Sequence, residues 1–169
     1  MTPKRRHTDR SLLLGLTLLS NPEILKVVRS TIRSLGEILG FSSTDSCSIT
    51  RAVDEALANV IRHAYRSQRY QLIRVICRHI RARSDGGWRD GFEITLVDYG
   101  PAVDPTQLSA RSLDEIKPGG LGLHFIRASM DVVSYVRAKS ENRLRLVRYF
   151  PGTASSSGLK TPGCATESS

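Results

Sequence analysis

The chain has 169 residues, 40% apolar and 24% charged, a balance that suits one folded domain with a real core and excludes wholesale disorder. No run approaches the ~18–20 apolar residues of a membrane span. Cys47, Cys77 and Cys164 are scattered without a Cys-x-x-Cys pair, which suggests quiet thiols rather than a disulfide framework or a zinc site. The net charge of +9 favours acidic partners, such as nucleotide phosphates or an acidic protein surface. No zinc finger, aromatic RNA-binding motif or helix-turn-helix accompanies that charge, so direct nucleic-acid binding is not expected.

In chain order, residues 1–10 read as a flexible basic arm, 11–150 as the folded domain and 151–169, small and polar, as a disordered tail. Residues 12–19 are apolar enough for a buried strand. They follow a basic start, but no small-residue cleavage pattern appears, so a cytoplasmic protein is expected. Asn21-Pro22-Glu23 combines a cap, a first-turn proline and an acidic first turn, and apolar residues at helical spacing continue to Gly40. A second helix begins near Ser43 or Thr44 and runs to Ala64 on a strong apolar stripe.

Residues 71–80 and 92–97 predict two strands joined through Ser84-Asp85-Gly86-Gly87. Residues 101–118 lack a period and read as a long loop, which in a compact domain is usually functional. A short helix from about Gly120 to Met130 follows, then strands over 132–138 and 144–150 around a turn at Ser140-Glu141-Asn142. The expected class is α+β, a two-layer α/β sandwich with helices on one face of a mixed, mainly antiparallel sheet.

Three segments carry chemistry. Glu55 and Asn59 lie one helical turn apart, with His63 a further turn on. A carboxylate there can act as a general base, and a carboxamide oxygen suits a hydrated magnesium ion. By itself the pair reads first as a solvated Glu and a locally bonded Asn. His63 falls inside the apolar arc and reads as a partly buried structural histidine. Asp98-Tyr99-Gly100 ends a strand: the carboxylate can accept from the exocyclic amine of adenine, and the glycine permits close backbone approach. An ordinary strand-ending turn has the same residues. Gly119, Gly120, Leu121, Gly122 and Leu123 open a helix whose freed N–H groups can face phosphate, or serve only as a hinge.

Together the run Ala52-Val53-Asp54-Glu55-Ala56-Leu57-Ala58-Asn59-Val60-Ile61-Arg62-His63-Ala64-Tyr65, then Asp98-x-Gly100, then the glycine turn resembles the nucleotide-binding boxes of the GHKL ATPase/kinase superfamily. The resemblance is to its stand-alone anti-sigma-factor serine/threonine kinases, over about residues 12–150, with the Bergerat-type ATP-binding fold. It implies Glu55 as catalytic base and Asn59 as ligand of magnesium. It also implies Asp98 and Gly100 at the adenine, and Gly120, Leu121, Gly122 and Leu123 by the phosphates of ATP. The loop after Gly100 corresponds to an ATP lid, and Ala102 stands where many relatives have a second glycine. Implied partners are a sigma factor, a phosphoacceptor antagonist protein and a second copy of the chain as a homodimer. A catalytically weak nucleotide-binding switch is the alternative. Sensor histidine kinases share the boxes but carry a helical hairpin, for which no upstream segment is expected here.

Overall fold

Period-two alternation gives the sheet one apolar face: Ile73, Val75 and Cys77 line up beside Phe92, Ile94 and Leu96, all buried. The computed structural model describes residues 11–84, 87–102 and 121–151. Strand β1 (Leu12–Leu19) leads through a 3-10 turn (Pro22–Ile24) into helix α1 (Leu25–Ile38), followed by α2 (Ser43–Asn59). Then come β2 (Leu72–Ser84), β3 (Gly87–Asp98), helix α3 (Leu121–Ser129), β4 (Val132–Ala138) and β5 (Glu141–Tyr149). The sheet order is β1-β2-β3-β5-β4. Among the described residues every pairing is antiparallel, so the α+β sandwich is as expected and the sheet they form is not mixed.

Local chemistry sets the helix ends. Asn21 Oδ1 accepts from the Glu23 N–H at 3.1 Å, and Ser42 Oγ accepts from the Asp45 N–H at 3.0 Å. Gly40 stops the first helix at φ +88°, a conformation that favours glycine. Hydrogen bonds from Ser42 and then Arg148 hold the Asp45 carboxyl below its ordinary range, which ties the start of α2 to β5.

Two differences from expectation matter for the site. The second helix leaves α geometry after Asn59: residues Val60–Ala64 form a π-turn, closed by the Tyr65 N–H on the Val60 carbonyl at 2.9 Å. The last reversal falls at Lys139 and Ser140, with Lys139 at φ +57°, so Glu141 and Asn142 belong to β5 rather than to a turn.

The core lies between the helices and the sheet, around Ile32, Ile49, Leu57, Phe92, Ile94 and Leu146. Burial pushes the Cys77 thiol up to about 12, while Cys47 is exposed and Cys164 lies outside the described residues. Among the described residues no helix is long and apolar enough to cross a membrane. The arm at 1–10 and nearly all of the tail lie outside the described residues.

Because Phe92 is fully buried and Ile38 is 79% exposed, Phe92→Ala is expected to lower unfolding free energy by about 3–5 kcal/mol. Ile38→Ala should change it by less than about 0.5 kcal/mol. Urea denaturation of both variants checks the assignment of the core.

Candidate nucleotide site

Glu55 and Asn59 sit on the last turns of α2, both half-buried where the helix runs out beside α3. The guanidinium of Arg62 lies across the pair. Its Nη2 donates to Glu55 Oε1 at 3.1 Å and, at 3.4 Å, to Asn59 Oδ1, while Nε reaches the Ala58 carbonyl at 3.3 Å. Arg62 therefore holds a cation against both the expected base and the expected metal ligand. The π-turn changes the bearing of the residues beyond Asn59. An α-helical continuation would have kept His63 in line with Glu55 and Asn59, but the wider turn leaves His63 exposed, against the expectation of partial burial.

The same turn aims Tyr65 into the core. Its hydroxyl donates to the Leu72 carbonyl at 2.6 Å and accepts from the Tyr99 N–H at 2.8 Å. Burial raises the phenol above its ordinary range. Tyr65 thus fastens the end of α2 to the turn that follows β3. Ala64 completes the joint. A Cβ on Gly100 would stand 2.8 Å from the Ala64 Cβ and 3.0 Å from the Ala64 carbonyl oxygen. Gly100 is required by that packing, whatever else approaches it.

Asp98 is 7% exposed, at the end of β3. Its Oδ1 accepts from the Gly100 N–H at 2.9 Å and from Asn142 Nδ2 at 2.7 Å. Asn142, fully buried opposite Asp98 on β5, also donates to the carbonyls of Gly100 (3.2 Å) and Pro101 (3.1 Å). In return its Oδ1 accepts from the Tyr135 hydroxyl and from Arg137 Nη1, each at 2.6 Å.

Gly122, on the first turn of α3, lies directly against Glu55: a Cβ there would be 2.1 Å from Oε1 and 2.7 Å from Cγ. Leu123 is half-buried beside it. Leu121 begins the helix. Gly119, Gly120 and the expected lid beyond Ala102 lie outside the described residues.

The structure therefore brings Glu55, Asn59 and Gly122 into one cluster and links Asp98 and Gly100 to it through Tyr65 and Ala64. His63 takes no part. Sequence reasoning missed Arg62, Tyr135, Arg137 and Asn142, and gave Tyr65 no role of its own. A signal for Asn142 existed: the core-facing alternation Leu146, Leu144 extends back to position 142, and a polar residue on that face needs partners.

The donor set here would suit a hydrated magnesium ion better than a caged one. The protein offers the neutral Asn59 oxygen beside a carboxylate, and among the described residues no three His, Cys, Asp or Glu side chains form a metal cage.

Helices across one face of an antiparallel sheet, with polar groups gathered where α2 ends, define an ATPase-type sandwich. The chain belongs to the histidine kinase-like ATPase domain family, whose model matches residues 18–148. A serine/threonine-protein kinase from Bordetella bronchiseptica, BtrW, is 36% identical over 106 residues, covering 60% of this chain and 69% of that protein. The serine-protein kinase RsbW of Bacillus subtilis is 23% identical over 141 residues, covering 79% and 82%. A crystal structure of the SiaB–SiaC complex from Pseudomonas aeruginosa matches with TM-score 0.57 and 14% identity, over 82% of this chain and 90% of that one. The RsbU and RsbW domains of a Mycobacterium tuberculosis protein match with TM-score 0.53 and 18% identity over 80% of this chain. This chain spans 32% of that mycobacterial one, and both structural likenesses show a shared fold.

Two variants test the joints. Gly122→Ala would ordinarily favour a helix by roughly 0.5–1 kcal/mol, but the Glu55 side chain fills the space, so the melting temperature should fall. Adding Glu55→Ala should restore it; strict additivity in that double-mutant cycle rules the contact out. Tyr65→Phe breaks two bonds of a buried hydroxyl and should cost about 1–3 kcal/mol in urea denaturation. The raised phenol pKa also predicts a sign. Above pH ~10 the unfolded state releases this proton first, so wild type should lose stability with rising pH in a component that Tyr65→Phe lacks.

Proposed function

We propose that this protein is an ATP- and magnesium-dependent serine/threonine protein kinase that phosphorylates a small antagonist protein and binds a sigma factor as its other partner. The observation that carries the reading is the cluster at the end of α2, where the Glu55 carboxylate, the Asn59 carboxamide and the backbone of Gly122 meet. The kinase names of the relatives support it. The neighbour solved as a complex with a second protein supports a partner-binding role.

Glu55 accepts the proton of the acceptor hydroxyl, and Asp98 accepts from the adenine amine beside Gly100. Gly120, Leu121, Gly122 and Leu123 present backbone N–H groups to phosphate. Asn59 would hold a hydrated magnesium ion, which would supply positive charge against the phosphates. A cation bound there would repel the Arg62 guanidinium, whose Nη2 lies 3.4 Å from Asn59 Oδ1. We propose a cytoplasmic location, as the sequence reading expects, and a homodimer, as the family resemblance implies. A second reading, a nucleotide-dependent switch without transfer, is favoured by one contact: Arg62 already neutralises the carboxylate that would serve as base.

Incubation with labelled ATP, magnesium and candidate antagonist proteins separates the two. Transfer to a serine or threonine supports the kinase, whereas occupancy without transfer supports the switch. Glu55→Gln should leave ATP affinity within about 3-fold and lower transfer by about 10²–10⁴-fold. Normal transfer by that variant removes Glu55 from the role.

A further inference from the structure

The amide of Asn142 is oriented by donors that reach it from outside the site. A guanidinium has N–H donors and no acceptor, so the Asn142 atom facing Arg137 Nη1 at 2.6 Å must be the carbonyl oxygen. The Tyr135 hydroxyl meets the same oxygen at 2.6 Å. Nδ2 is thereby turned the other way, toward Asp98 Oδ1 at 2.7 Å and the carbonyls of Gly100 and Pro101, acceptors all. Arg137 Nη1 also donates to the Gly100 carbonyl at 2.8 Å, which fixes the turn from the same side. The consequence reaches the carboxylate. Among the described residues both hydrogen bonds to Asp98 fall on Oδ1, from the Asn142 and Gly100 N–H groups, which leaves Oδ2 as the oxygen to accept from a ligand.

Resting on the adenine reading of Asp98 above, we propose that Arg137, acting through Asn142 with Tyr135, is a positioning residue that sets the preference for a 6-amino over a 6-oxo purine. An acceptor oxygen matches the exocyclic amine of adenine and repels the C6 carbonyl of hypoxanthine. Without its outer donors the Asn142 carbonyl loses its two fixed partners, and the amide is held from one side only, by the acceptors that face Nδ2. It can then tilt among those acceptors, and the Asp98 carboxylate that it holds at 2.7 Å shifts with it. A carboxylate that shifts is a poorer fixed acceptor and discriminates less between an amine and a carbonyl at C6. Arg137 is exposed overall, so its replacement leaves the core intact.

The test is equilibrium binding of fluorescent ATP and inosine triphosphate, with magnesium, to the full chain and to folded variants verified by thermal melts. Inosine triphosphate differs from ATP only at the C6–N1 edge of the base. Wild type should prefer ATP. In Arg137→Met the ATP-to-inosine ratio should fall about 10-fold, further in the Tyr135→Phe, Arg137→Met double variant, and Arg137→Lys should recover much of it. An unchanged ratio, or equal loss of both nucleotides, overturns the inference, since a merely structural residue would weaken both alike. Wild type that binds neither nucleotide, or shows no preference, overturns the adenine reading of Asp98 itself and the inference with it.

Discussion

The hydroxyl of Tyr65 is the contact on which the geometry of the site depends. One buried oxygen donates to the Leu72 carbonyl and accepts from the Tyr99 N–H, so the end of α2, the start of β2 and the end of β3 share a single fastening. Glu55 and Asn59 stand on one side of it, Asp98 and Gly100 on the other. A buried hydroxyl with both bonds made resists displacement, because breaking either leaves an unpaired polar group away from water. The separation between Asp98 and Glu55 is therefore a property of the protein before any ligand arrives. Gly100 follows from the same joint, since the Ala64 methyl and carbonyl oxygen crowd the place of any side chain there.

The π-turn makes this fastening reachable. An α-helix carried on past Asn59 would have set Tyr65 on a different bearing; one extra residue in the turn swings it inward and leaves His63 in solvent. The electrostatics at the helix end are looser. Glu55 and Arg62 keep 33% and 54% of their side-chain surface exposed, so their pairing is worth about 0–1 kcal/mol and is readily exchanged for another cation. The Asp98 side of the site is buried and hydrogen-bonded, whereas the Glu55 side is half in water and exchangeable. That division suits a site in which one end selects a base and the other handles charge that comes and goes.

Much of the fold was legible because its signals are local and periodic. The stripe from Ile49 through Ala64 could only be a helix against a core, and the alternation in β2 and β3 could only be a half-buried sheet. The Glu55–Asn59 spacing and the Asp98-x-Gly100 turn were equally local. Asn142 was obscured by composition: serine at 140 and asparagine at 142 are residue types that favour turns, and that outweighed a register that places position 142 opposite Asp98. Arg137 and Tyr135 looked like ordinary surface residues of a strand, since nothing nearby in sequence shows what they touch.

By itself the sequence determined the class of fold, the helix that bears Glu55 and Asn59, and the strand end that bears Asp98, because each rests on hydrophobic period and turn chemistry within a few residues. Only the tertiary structure decided that the helix relaxes at Val60, that Tyr65 ties its end to Tyr99, and that Asn142, forty-four residues from Asp98, orients that carboxylate. These facts depend on which atoms of distant segments are left needing partners once the core has closed, and hydrogen-bond satisfaction in a buried space is a property of the assembled layers.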